Sequence, residues 1–153
     1  MSEFTVTQNN IMSLPIQTPV TIRPEIILKG FNISGISSFY IEINAVFMKE
    51  EDWQIGESLD AFDDLLYGNF GLLRGAEEVD LVWENIGHSR ECLGFEATRN
   101  YYLNKLKPES PFNKKFHQEQ LEELEQGTGK TYFDILLEII ASHPNIRLVA
   151  KNS

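Results

Sequence analysis

Gly56-Glu57-Ser58-Leu59-Asp60-Ala61-Phe62-Asp63-Asp64-Leu65-Leu66-Tyr67-Gly68 is the stretch on which the reading of this chain turns. Leu59, Phe62, Leu65 and Leu66 recur at the spacing of one helical face, the face that packs on a core. Asp60, Asp63, Asp64 and Tyr67 fall on the other side. Ser58 stands where a capping hydroxyl is wanted and Gly68 where a helix stops, so the spacing predicts a helix from about Ser58 to Tyr67. Asp60 and Asp64 are one turn apart, and like charges at that spacing cost about 0.2–0.5 kcal/mol. The helix N-terminus offsets part of this, chiefly for Asp60 in the first turn. No Lys or Arg lies within a turn of the cluster. A helix that has only to stay in solution usually intersperses cations, so this face carries a binding reading beside that of a solvated surface.

Working outward, Ile36, Phe39, Tyr40, Ile43, Val46 and Phe47 mark one face of an earlier helix, with Ser37 or Ser38 available as its cap. Glu25-Ile26-Ile27-Leu28-Lys29-Gly30 before it reads as a short strand ending at a glycine turn. On the other side, Val79-Asp80-Leu81-Val82-Trp83 alternates and branches like a strand. Residues 88 to about 126 are helical but weakened by Gly94 and interrupted by Pro108 and Pro111. Thr131 caps a last helix, with Asp134 in capping-box spacing and Pro144 just past its end. That helix, Tyr132 to Ile140, is apolar nearly all round and is expected to be deeply packed. Ile146-Arg147-Leu148-Val149-Ala150 closes as a strand. Short apolar strands separated by helices predict an α/β fold: a small three-stranded parallel sheet flanked by helices. Residues 1–24, broken by Pro15, Pro19 and Pro24, are expected to form an N-terminal arm. Residues 25–153 then make one domain, carrying a helical insertion at about 85–130.

The chain has 153 residues, enough for one domain with a real core, and a formal net charge of −10. That charge is concentrated. Between Glu50 and Glu84 lie eleven acids and one base, Arg74, so this segment holds the entire net charge, and the rest is neutral. The segment reads either as a solvated acidic face or as a focused negative surface that steers a basic partner. The balance argues against binding nucleic acid, where cations must neutralise phosphates, and against anionic membranes. A single cysteine, Cys92, makes no internal disulfide. Without a signal-peptide pattern or a long apolar run, the expected location is the cytoplasm.

Catalytic and metal motifs are incomplete. Asp60, Asp63 and Asp64 offer the hard oxygen ligands that Mg²⁺ prefers, but no second carboxylate motif or phosphate-binding lysine accompanies them. Gly127-Thr128-Gly129-Lys130-Thr131 resembles the end of a P-loop, yet the position that needs the first glycine is Leu124, and acidic helical residues precede it. A loop plus helix cap is the better reading. His88 and Cys92 share i, i+4 spacing, but His117 and His143 sit in unrelated segments, so an ordinary histidine and a buried thiol are expected. No cofactor, no metal and no enzyme activity are expected.

The stretch from Gly56 to Gly68 resembles the barstar family, the intracellular inhibitors of barnase-type ribonucleases, in its pattern Gly-Glu-x-Leu-Asp-Ala-x-x-Asp-x-Leu-x-Gly. The strand and Gly30 turn, the helix from Ser37 to Met48, the strand from Val79 to Trp83, and the helix and strand from Thr131 to Ala150 follow the family's order and spacing. Roughly 80 to 90 residues are covered. Residues 1–24 and about 85–130 are longer than in barstar itself. The family fold is a three-stranded parallel sheet flanked by helices.

The resemblance implies an inhibitor that plugs a basic ribonuclease active site in a one-to-one complex, a role that suits an immunity protein against a ribonuclease toxin. Asp60 and Asp64 match the two family aspartates that pair with active-site cations, and Glu138 matches an acidic contact on the terminal helix. Tyr67 stands where the family type has threonine, Asp63 replaces an interface tryptophan, and Gln54 replaces a loop tyrosine beside Trp53. The altered rim implies a different ribonuclease as target. The rival expectation is a non-inhibitory interaction or regulatory module that keeps the fold but has changed its partner.

Overall fold

Three short strands, β1 (Glu25–Lys29), β2 (Val79–Glu84) and β3 (Ile146–Ala150), pair in parallel in the order β1-β2-β3 in the computed structural model, which describes residues 23–153. The register sets Ile26 beside Leu81 and Leu81 beside Leu148, with Leu28 beside Trp83 one pleat further on. Side chains alternate across a strand, so these residues share one face. They join one core cluster with the helices, whereas Ile27, on the opposite face, is 42% exposed. Parallel neighbours need long crossovers, and helices supply them here. The expected α/β architecture with a three-stranded parallel sheet is present. The expected N-terminal arm lies outside the described residues, except for Arg23 and Pro24.

Between β1 and β2 run α1 (Ile36–Phe47) and α2 (Leu59–Leu66). Phe39, Tyr40, Ile43 and Phe47 of α1 are buried, as their spacing required. Its cap differs from the expected one. Gly35 occupies the N-cap, and Ser38 works from inside the first turn, its Oγ accepting from Gly35 N at 3.0 Å and Ser34 N at 2.7 Å. Ser37 instead donates to Glu57 at 3.0 Å.

Between β2 and β3 the weakly patterned stretch resolves into α3 (Ile86–Cys92), α4 (Phe95–Lys105) and α5 (Lys114–Glu125), followed by α6 (Tyr132–Ala141). Gly94 separates α3 from α4, and Pro108 and Pro111 lie in the loop between α4 and α5. Helices α4 and α5 share a small apolar cluster of Tyr102, Leu121 and Leu124. Thr98 fastens α4 to α6: its buried hydroxyl accepts from Tyr132 N at 2.7 Å and donates to Gly94 O at 2.6 Å. The loop at Gly127–Lys130 spends its amides on α5, since Thr128 N and Gly129 N both donate to Glu123 O. Thr131 and Asp134 form the expected capping box of α6. Deep packing of α6 holds for Tyr132, Phe133, Leu136 and Ile140, but Ile135 and Ile139 are only half-buried because they border a surface depression. Among the described residues no helix is long and apolar enough to cross a membrane.

Candidate functional site

The acidic helix α2 is placed by what precedes it. Asn44, buried on α1, accepts from Ile55 N at 2.9 Å and donates to Ile55 O at 3.2 Å and Tyr40 O at 3.0 Å. One side chain thus fixes both backbone groups of the residue that leads into the loop before α2. Ser58 then caps the helix, its Oγ accepting from Ala61 N at 3.0 Å. Phe62, Leu65 and Leu66 are fully buried, and Leu59 packs on the core from a half-buried position. Gly68 ends the helix with φ +84°, a left-handed turn that a side chain would strain.

With one face committed to the core, Asp60, Asp64 and Tyr67 point outward and are exposed. Among the described residues neither Asp60 nor Asp64 has a hydrogen-bond or ion-pair partner for its carboxylate. Helix α6 runs beside α2, and the two enclose a depression of about 320 Å³ lined by Leu59, Asp60, Asp63, Ile135, Glu138 and Ser142. The fold therefore brings Asp60, Asp63 and Glu138 together from residues up to 78 apart in sequence. Glu138 does not stand free. Lys130 Nζ lies 2.7 Å from its Oε2 and 2.9 Å from its Oε1, with both side chains more than half exposed. Exposed pairs of this kind are worth about 0–1 kcal/mol, so a competing cation can displace Lys130.

Asp63 is placed differently from its three neighbours. Its Oδ1 is 2.7 Å from Nε2 of His143, whose side chain is 3% exposed, while Asp63 itself is half-buried. The Tyr67 ring meets the same imidazole edge-on, with centroids 4.6 Å apart. Gln54 is exposed but lines a separate cleft with Tyr40, Ile41, Asn44 and Glu57, not the α2–α6 depression. Beside it, Trp53 is half-exposed and packs on Phe70 at 4.9 Å between centroids.

Sequence reasoning missed three neighbours of this surface. Tyr101 of α4 packs at 5.1 Å on Tyr132, and its phenol is held above the ordinary range by burial and then by the charge of Asp60. Lys105 sits over Phe112 at 3.4 Å and Tyr101 at 5.0 Å, with burial lowering its pKa. Together with Glu57 and Ser37 they line a groove of about 420 Å³ between α1 and α4. Beneath it, the hydroxyls of Tyr40 and Tyr132 meet at 2.6 Å, and burial drives both phenols far above their usual range. His143 is the third neighbour, and nothing in its own segment signals the contact with Asp63.

The acidic segment is also less free than its charge count. Asp80 is buried and accepts from Arg147 at 2.8 and 2.9 Å and from Arg23 at 2.8 Å. Those bonds, Arg147 first and then Arg23, hold its carboxyl below the usual range. Glu78 pairs with Arg23. Glu51 accepts from Gly71 N at 2.8 Å and lies 3.7 Å from Arg74. The charge left to face solvent thus includes Asp60 and Asp64 but not the whole segment.

Cys92, expected to be buried, is half-exposed, with Sγ 3.6 Å from His88 Nε2. Among the described residues no three His, Cys, Asp or Glu side chains converge to hold a metal ion. No protein-family model, curated protein or solved structure matches this chain.

Proposed function

We propose that this protein is a barstar-like inhibitor of a basic ribonuclease, acting without turnover inside the cell that makes it. The observation that carries the reading is the pair of exposed carboxylates, Asp60 and Asp64, unpaired among the described residues, on the outer face of a helix whose other face is locked in the core. The sequence resemblance and the three-stranded parallel sheet support it, since the elements follow one another as the resemblance implies.

The mechanism follows from charge. A ribonuclease active site presents Arg, Lys and His to phosphate and to the charge that develops on cleavage. Carboxylates on one rigid helix occupy those phosphate positions through charge-assisted, often bidentate, hydrogen bonds. Rigidity reduces the entropy lost on binding, and the Asn44 clamp and Ser58 cap supply it. Glu138 adds a third carboxylate when the partner's cation displaces Lys130. The unscreened acids speed encounter, an effect that salt removes beyond about 8 Å at physiological ionic strength.

A non-inhibitory interaction module is the second reading, favoured by one observation: Asp63 is turned toward His143 and Tyr67 stands at the rim, which alters the surface offered. RNA cleavage by a panel of basic, barnase-type ribonucleases, titrated with this protein, separates the two. Inhibition that saturates at one equivalent supports the inhibitor. A complex that forms while cleavage continues supports the module.

A further inference from the structure

We propose that His143 is a positioning residue that decides which groups of α2 meet the partner, withholding Asp63 and bracing Tyr67. The inference rests on α2 being the binding face. His143 lies at the corner between α6 and β3, where the backbone already holds it: its amide donates to Ile140 O at 3.1 Å and its carbonyl accepts from Ile146 N at 3.0 Å. The imidazole is buried to 3% exposure, so its ring has little room to turn. An ionised carboxylate only accepts, so Nε2 must carry the proton given to Asp63 Oδ1 at 2.7 Å.

Two consequences follow for α2. A buried imidazole N–H without an acceptor is costly, so Asp63 is held against the body of the protein and is no longer available to a partner cation. Tyr67, one turn later on the same face, stands at the C-terminal end of α2 with its ring edge-on to the imidazole at 4.6 Å and 79°. That contact fixes a side chain that is 64% exposed. An exposed aromatic ring held in one orientation is the kind of group that anchors interfaces, because little entropy is lost when it is covered. The partner therefore meets Asp60, Asp64 and Tyr67, which recur at i, i+4 and i+7 and form one stripe. The complementary group is a guanidinium, which pairs with Asp64 and stacks on Tyr67.

The test uses the full chain and an arginine hexapeptide as probe, followed by amide and tyrosine-ring chemical shifts. His143→Gln retains an N–H able to reach Asp63, whereas His143→Leu fills the space without one. In the wild type, peptide is expected to perturb Asp60, Asp64 and Tyr67 and to leave Asp63 nearly still. In His143→Leu, Asp63 joins the perturbed set and the Tyr67 response falls severalfold, and His143→Gln restores the wild-type pattern. The same perturbed set in all three proteins overturns the role of His143 while leaving the binding face intact. Wild-type shifts confined to residues outside α2 contradict the binding face itself, and this inference with it. If His143→Leu does not fold, Asp63→Asn, whose carbonyl still accepts, must match the wild type and Asp63→Leu must loosen Tyr67. An unmoved Tyr67 ring in Asp63→Leu overturns the proposal.

Discussion

Lys130, just before α6, and Glu138 are joined across the first two turns of that helix, with Nζ 2.7 Å from Oε2, so a cation of the same chain meets one of the carboxylates lining the α2–α6 depression. Lys130 thus competes with any partner cation for Glu138. Lys130→Ala is expected to leave stability within about 0.5 kcal/mol, as for an exposed pair, and to raise the association rate with a basic ribonuclease at low salt. Stopped-flow association at two ionic strengths checks this. An unchanged or slower rate in the variant would show that Glu138 takes no part.

Asn44 joins α1 to the loop before α2 through both backbone groups of Ile55. In Asn44→Ala those groups are left buried without their partner, and an unsatisfied buried group costs about 1–3 kcal/mol. Urea unfolding should show a loss in that range. Affinity for the ribonuclease should also fall, although Asn44 itself is buried and touches no partner, because the loop no longer holds α2 at one angle.

Asp63 and Asp64 are adjacent in sequence and should behave oppositely. Asp63→Ala leaves the imidazole of His143 buried without its acceptor and is expected to cost about 1–3 kcal/mol of stability. Asp64→Ala removes an exposed carboxylate that is unpaired among the described residues and should stay within about 0.5 kcal/mol of wild type. Thermal unfolding of the two variants side by side decides the matter. Equal stability would mean that the Asp63–His143 contact contributes nothing to the fold.

Asp80 supplies an acid-sensitive element. Its carboxyl is held below the ordinary value by Arg147 and Arg23. The stability it contributes is therefore fully present above the unfolded-state value of about 3.9 and is lost as pH falls through the lower folded-state value. Asp80→Asn should be less stable than wild type at pH 7, with the gap narrowing on acidification below about pH 4. A constant gap from pH 7 to the acid limb would assign the loss to packing rather than to the charge.

What was legible in the sequence follows the range of the forces involved. The spacing of Leu59, Phe62, Leu65 and Leu66, the Ser58 cap and the Gly68 stop are local, and the helix they predict lies within a residue of the observed one. The strands at 25, 79 and 146 declared themselves through short apolar runs bounded by turns. Gly94, Pro108 and Pro111 marked the breaks among α3, α4 and α5, but α4 has scarcely any apolar face of its own, so the stretch read as one weak helical region rather than three helices. The site was legible only in part. Outward placement of Asp60, Asp64 and Tyr67 follows from helical geometry alone. The tie from Asp63 to His143, 80 positions away, exists only once α6 packs beside α2. The packing of Tyr101 on Tyr132, and the arginines that take Asp80 and Glu78 out of the acidic surface, likewise depend on residues far apart in sequence.

In the proposed function the outer face of α2 blocks a ribonuclease through Asp64, with Asp60 and Glu138 behind it. The decisive measurement is RNA cleavage by the basic ribonuclease that binds most tightly, titrated with wild type and with Asp64→Ala. Truncating one member of a buried, hydrogen-bonded ion pair costs about 2–5 kcal/mol. Wild type should abolish cleavage at one equivalent, and Asp64→Ala, folded and equally stable, should need concentrations raised by at least tenfold. An Asp64→Ala variant that inhibits as tightly as wild type, or a panel of basic ribonucleases that wild type leaves fully active, would overturn the proposed inhibitory role of this face.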